Sequence, residues 1–206
     1  FRKTKGHFKS KYRFTLGTRT LHTFTPTPVR IIGGKYKGKS IVAARGLPVR
    51  PTTDFAKESL FNILNNSIDF EEIKLLELFA GTGNIGYEFA SRGCSQITSV
   101  DLNFNCIQFI KRTNKELELH NKVIRSDVFR FINSNKEKYN FIFADPPYDL
   151  DRIKDIPQLI FSKGILENEG TLVIEHDKYT DFSDDNYFKN VRQYGRVMFS
   201  FFNFNA

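Results

Sequence analysis

The chain has 206 residues and a mass of 23.9 kDa, with 40% hydrophobic and 26% charged residues, the balance of one globular domain with some extra polypeptide and not of a disordered or fibrous chain. Its two cysteines, Cys94 and Cys106, lack any zinc-type pairing, so free thiols in a reducing compartment are expected, and no metal. The net charge of +8 is one-sided: residues 1–53 carry 13 Lys and Arg and no carboxylate, which leaves 18 bases against 23 acids, a net of −5, in the remainder.

No apolar run approaches the roughly 20 residues of a membrane-spanning helix, and no secretory signal pattern is present. A soluble, cytoplasmic protein is therefore expected. Clustered Lys and Arg release condensed counterions when they meet phosphates. The N-terminal part is accordingly expected to contact nucleic acid, plain solvation being the other reading.

Residues 1–28 show neither helical nor alternating periodicity and end in a Thr/Pro cluster, the composition of an arm. The arm has no initiating Met, which fits a processed end, an expression remnant or translated upstream sequence, and its basic, acid-free, Ser/Thr-containing character bears a faint resemblance to an organelle transit peptide. Residues 29–50 hold two β-branched runs, VRII and SIV, around a Gly/Lys turn, which predicts a small hairpin followed by the breakers Pro48 and Pro51. Thr53 or Asp54 can cap a helix over DFAKESLFNILNN, with its apolar face expected at Phe55, Leu60, Ile63 and Leu64.

Strands and helices then alternate. The pattern predicts strand KLLELF (74–79), a helix to Arg92 stopped by Gly93, strand QITSVD (96–101), a helix over 104–119 and strand KVIR (122–125). A helix from Val128, strand YNFIFAD (139–145), a helix ending near Gly164 and strand TLVIE (171–175) follow. Five βα units with near-continuous apolar strands define a parallel sheet covered on both faces. The runs NVRQY and RVMFSFFNF, joined at Gly195, read as a terminal hairpin. The expected fold is α/β: a Rossmann-like, seven-stranded, doubly wound and mostly parallel sheet, preceded by the small N-terminal hairpin, in a domain over residues 51–206.

Residues 33–40, GGKYKGKS, match the phosphate-loop pattern G-x-x-x-x-G-K-[ST]. That loop needs a core strand before it and a helix after it, so that amides converge on the phosphate. Here Ser40 is followed by IVAARGLPVRP, whose β-branched residues and two prolines cannot run as a helix. The NTPase reading is therefore rejected. Lys35, Lys37 and Lys39 are expected on one side of an extended strand, as a positive row for RNA phosphates or as solvated positions.

In LLELFAGTGNIG, residues Gly81, Gly83 and Gly86 form G-x-G-x-x-G after a strand and at the start of a helix. Asp101 lies eighteen residues beyond Gly83, at the end of the next strand, where a carboxylate can hold both ribose hydroxyls. This much fits NAD and S-adenosylmethionine equally. Glu77 tips the balance, because a carboxylate there repels a pyrophosphate and suits an ammonium and a sulfonium; its other reading is a strand-end acid. Asp127 can accept from an adenine amine, cap the next helix, or do both.

Asp145-Pro146-Pro147-Tyr148 ends the fourth strand, on the edge where doubly wound sheets hold their active sites. The amine of a nucleobase is a poor nucleophile because its lone pair is conjugated with the ring. Asp145 and the Pro146 carbonyl can accept both amine hydrogens, orient the nitrogen and stabilise the charge that develops on it during methyl transfer. Pro146 and Pro147 stiffen the acceptors, and Tyr148 can stack on a base swung out of its helix.

The DPPY and FAGTG motifs together resemble the amino-methyltransferases that use S-adenosylmethionine. RPTTDFAKESLFNIL (50–64) is similar to the hallmark opening segment of the RsmD family, whose members methylate guanine N2 in bacterial small-subunit (16S) ribosomal RNA. The resemblance extends from Val29 to Phe204 and leaves out only the arm. It implies S-adenosylmethionine as cofactor, bordered by Thr52, Thr53, Glu77, Phe79, Gly81, Gly83, Asp101, Leu102, Asp127 and Val128, with Asp145 to Tyr148 at the target base. It also implies Arg50 as an RNA contact beside Lys35, Lys37 and Lys39, ribosomal RNA or the small subunit as partner, and a monomer. Two features depart from the family: the opening helix has fewer arginines in FAK, and the arm has no counterpart. DPPY alone also suits adenine N6 or cytosine N4 in DNA, but little chain remains here for a groove-reading module.

Overall fold

The structure, a computed structural model, describes residues 28–42 and 53–204. Almost all of the expected arm, together with Arg50 and Thr52, lies outside the described residues. The chain forms β1 (Val29–Arg30), β2 (Ser40–Ile41), α1 (Asp54–Leu64), a 3-10 turn (Phe70–Glu72), β3 (Lys74–Leu78), α2 (Asn84–Ser91), β4 (Gln96–Asp101) and α3 (Phe104–Glu116). It continues through β5 (Lys122–Arg125), α4 (Val128–Ser134), β6 (Tyr139–Ala144), α5 (Asp155–Ser162), β7 (Leu166–His176), β8 (Phe188–Tyr194) and β9 (Val197–Phe202).

The main sheet has seven strands in the order β5-β4-β3-β6-β7-β9-β8. The first five are mutually parallel, and β9 pairs antiparallel with both β7 and β8. The doubly wound architecture expected from the alternating pattern is therefore the one observed. Leu75, Leu76 and Leu78 on β3 are fully buried because both sheet faces are covered. One face packs Phe61 of α1 and Phe89 of α2 over Phe141, with ring centroids 5.4 Å (Phe61 to Phe89) and 5.0 Å (Phe89 to Phe141) apart. The other face packs α4 and α5 through Ile132, Ile156 and Ile160. Chain order reverses around β3, whose neighbours are β4 and β6, and this switch opens a crevice at the strands' C-terminal ends. No described helix is long and apolar enough to cross a membrane.

Several boundaries move for local reasons. Strand β3 stops one residue early because Phe79 turns left-handed (φ 55), and α3 stops at Glu116, two residues before left-handed Glu118 (φ 56). Strand β7 starts at Leu166, and its pairing with β6 shifts register between Tyr139 and Phe141. Thr53, not Asp54, caps α1: its hydroxyl accepts the Ala56 N–H at 3.2 Å.

The inner face of α1 differs from the apolar stripe expected. Phe55 is 64% exposed and lies edge-on to Tyr194, and Ile63 is only half-buried, while Ala56, Lys57, Leu60, Phe61 and Leu64 face inward. Lys57 takes the inner position because its ammonium finds partners there. It donates to the Arg30 carbonyl and to Asn84 Oδ1 (2.8 Å), and it pairs with Glu88 (2.9 Å). Glu88 also pairs with Arg92 and accepts the Ile32 N–H at 2.7 Å. Lys57 and Glu88 are fully buried, and burial lowers the Lys57 pKa despite the pull of Glu88. This cluster ties β1, α1 and α2 together.

The N-terminal hairpin is shorter than VRII and SIV suggested. Only Val29 with Ile41 and Arg30 with Ser40 are paired. The intervening chain coils in turns, with Lys37 N–H bonded to Gly34 O and Lys39 N–H to Tyr36 O. Lys35, Lys37 and Lys39 are exposed there, but they do not form the alternating row of an extended strand. The amides of Lys35 and Tyr36 go to the carbonyl and hydroxyl of Ser91, and that of Gly38 goes to Ile31 O. With its amides committed internally, GGKYKGKS is no phosphate cradle.

Candidate active site

The crevice at the switch of strand order is a cleft of about 720 Å3, within the range typical of small-molecule sites. One end is built by the turn from β3 into α2. Glu77 on β3 is only 2% exposed, and its Oε1 accepts the Ile85 and Gly86 amides at 3.2 and 3.0 Å while Oε2 accepts the Ser99 hydroxyl at 2.7 Å. A carboxylate at a helix N-terminus complements the unpaired amides there. A Cβ at position 86 would lie 2.8 Å from Glu77 Oε2, so only glycine permits this approach. Burial raises the Glu77 pKa to about 7 against the lowering effect of these hydrogen bonds, with nearby Asp101 adding to the rise. Glu77 is thus more than a strand-end acid, since it both anchors the glycine turn and borders the cleft.

Asp101, at the end of β4, accepts the Gly81 N–H at 2.8 Å through Oδ2 and the Asn103 N–H at 2.7 Å through Oδ1. Its carboxylate is oriented by the turn it faces. Asp127 caps α4 by accepting the Arg130 N–H at 2.9 Å, and it also lines the cleft, so the two roles expected for it are compatible. Exposed Leu102 and buried Val128 line the wall between these acids, and Phe79 lies at the start of the turn. Among the described residues expected at the cofactor, Gly83 is the exception. It does not line the cleft, and its positive φ of 77 makes the turn into α2.

The other end follows β6. The Asp145 amide donates to Leu78 O at 3.3 Å, which fastens the start of the Asp-Pro-Pro-Tyr segment to β3. Asp145 and Tyr148 are half-buried, Pro146 is buried and Pro147 exposed, and all four line the same cleft. The Tyr148 hydroxyl donates to Glu175 Oε1 at 3.3 Å. Glu175 near the end of β7 and Asn84 at the start of α2 also line the cleft, and neither was expected from the sequence. The signal for Glu175 was an acid closing the apolar run TLVI at the strand end where the other site residues gather. Thr53 lines the cleft as well, whereas Lys35, Lys37 and Lys39 do not.

The acids Glu77, Asp101 and Asp127 line the cleft beside the glycine turn, a donor set that suits a ligand carrying positive charge, while the glycines leave room for backbone contact. The antiparallel β8–β9 edge distinguishes this sheet from an all-parallel dinucleotide fold. Fold and site together define a Rossmann-like class I methyltransferase that uses S-adenosylmethionine. The family model described as conserved hypothetical protein 95 matches residues 29–203, and the chain belongs to this family, the RsmD family.

Among curated relatives, the chain is 38% identical over 161 residues to the "Putative rRNA methyltransferase YlbH" of Bacillus subtilis, covering 76% of this chain and 86% of the relative. It is 32% identical over 155 residues to the ribosomal RNA small subunit methyltransferase D of Buchnera aphidicola subsp. Baizongia pistaciae, covering 73% and 77%. Among solved structures, the "Putative methyltransferase yhhF" from Escherichia coli superposes with a TM-score of 0.73 at 25% identity, covering 85% of this chain and 97% of that one.

Proposed function

We propose that this protein methylates the exocyclic N2 of a guanine in small-subunit ribosomal RNA, with S-adenosylmethionine as donor. The observation that carries this reading is the placement of the Asp145-Pro146 acceptors in the same cleft as the glycine turn and Asp101. When bound, S-adenosylmethionine supplies an electrophilic methyl group on a sulfonium. Asp101 would hold its ribose hydroxyls, Asp127, Leu102 and Val128 its adenine, and the Gly81 turn with Glu77 its charged amino-acid end.

The remaining chemistry belongs to the far end of the cleft. The Asp145 carboxylate and the Pro146 carbonyl accept the two amine hydrogens, which fixes the nitrogen and makes its lone pair available. As positive charge develops on that nitrogen, Asp145 stabilises it. The Tyr148 ring gives the extruded base a stacking surface worth about 1–3 kcal/mol. The names of the relatives support an rRNA substrate, and the basic character of residues 1–53 supports phosphate contacts, with Lys35, Lys37, Lys39 and Arg50 the first candidates. The enzyme acts as a monomer in this reading.

The test is to incubate the protein with tritium-labelled cofactor and small ribosomal subunits that lack endogenous modifications, then identify the labelled nucleoside by chromatography. N2-methylguanosine is expected. Label on N6-methyladenosine, or in protein only, refutes the assignment.

A further inference from the structure

Glu175 gives the site a second acid beside the one that grips the amine. Strands β6 and β7 run parallel with Phe143 opposite Val173 and Ala144 opposite Ile174, so Glu175 on β7 and Asp145, the first residue past β6, come at the next position. Such strands are roughly 4.8 Å apart. By alternation both project from the sheet face that carries Phe143 and Val173. Glu175 is only 3% exposed yet lines the cleft, and its Oε1 is held by the Tyr148 hydroxyl at 3.3 Å. On its other side it pairs in register with fully buried Phe199 of β9.

An ionised carboxylate is an acceptor only, and this divides the amine-bearing bases. Adenine N6 adjoins the lone pair of N1, and cytosine N4 adjoins the lone pair of N3. Only guanine places a donor, N1–H, beside its amine. We infer that Glu175 is a specificity-determining residue that accepts the N1–H of the target guanine while Asp145 and Pro146 hold the N2 amine. The inference rests on the guanine-N2 reading above and deepens it. Adenine or cytosine in the same grip would turn a lone pair toward a carboxylate, and a site built to hydrogen-bond a substrate N–H strongly rejects analogues that lack it.

2-Aminopurine probes this contact, because it keeps the 2-amine and replaces N1–H with a lone pair; it also lacks O6, so the change in preference between wild type and variant carries the test. Once the labelled position is known, small-subunit RNA assembled by splinted ligation can carry guanine or 2-aminopurine there, and single-turnover methylation of the two can be compared. The wild-type protein is expected to prefer guanine by about 100-fold or more. Glu175→Gln, whose amide can donate to the lone pair, is expected to shrink that preference by about tenfold or more, with 2-aminopurine methylation rising as guanine methylation falls. A merely structural role would lower both rates together and leave their ratio unchanged, which overturns the inference. Equal wild-type rates on the two RNAs overturn it without any variant. Label on an adenine or cytosine amine in the first experiment instead removes the guanine reading itself, so the two failures are distinguishable.

Discussion

The two ends of the cleft hold their acids by different means. At the end proposed for the cofactor, Glu77, Asp101 and Asp127 each accept backbone N–H groups, five in all, so main-chain geometry orients them. At the end proposed for the target base, Asp145 and Glu175 are aimed by strand register and by the Tyr148 side chain. A cofactor with one fixed shape suits the first arrangement. A base that must enter and leave suits the second, where a tyrosine can shift without unmaking a loop. Damage at the cofactor end should therefore appear in binding, and damage at the target end in turnover.

The largest effect that would separate the two ends is expected from Asp145→Ala. Single-turnover kinetics should show methyl transfer reduced by about 100- to 1,000-fold, with cofactor affinity by calorimetry unchanged. A comparable loss of affinity would break the division. Asp101→Ala should do the reverse. Losing a charged acceptor of two amides, to which the proposed function adds a ribose, should weaken cofactor binding by about 10- to 100-fold, with less effect on turnover at saturation.

Glu77 gives a smaller, pH-dependent effect. Its carboxyl sits near 7 in the folded protein because burial disfavours the charge, whereas in the unfolded chain it ionises near the ordinary value of 4.5. Its raised value therefore stabilises the fold fully below that ordinary value. That contribution is lost as pH rises from about 4.5 to about 7 and is flat above. Cofactor binding has the opposite slope, because a cation favours the ionised form. Affinity should be about tenfold weaker at pH 6 than at pH 8, and Glu77→Gln should flatten the profile. The smallest effect is expected from Lys39→Ala, which should leave cofactor affinity as it is; a clear loss would return GGKYKGKS to the site.

The sheet was legible because its signals are periodic and redundant. Five apolar strand runs, linked by four helical patterns, leave little choice of topology. The glycine turn, Asp101 and Asp145-Pro-Pro-Tyr148 were legible because they sit at strand ends, where position implies exposure to the crevice. What escaped depends on contacts between distant segments. Lys57 reads as a polar helix position until Arg30, Asn84 and Glu88 are brought around it, and with Lys57 on the inner face Phe55 lies outside the core. Glu175 reads as the acid after TLVI until register sets it beside Asp145. The lysines of GGKYKGKS alternate in sequence, but positive φ at Gly34 and Gly38 coils the chain that would have made them a row.

The buried cluster around Lys57 has a consequence for how the molecule breathes. Peeling the N-terminal hairpin from the domain would strip Lys57 of the Arg30 carbonyl and Glu88 of the Ile32 amide, leaving two charges in an apolar interior with fewer partners than they need. Such a partial opening is therefore disfavoured beyond the loss of the two strand pairs themselves. The amide proton of Ile32, in the chain that leaves β1 and beyond the two strand pairs of the hairpin, should therefore exchange with solvent more slowly than those pairs alone would allow.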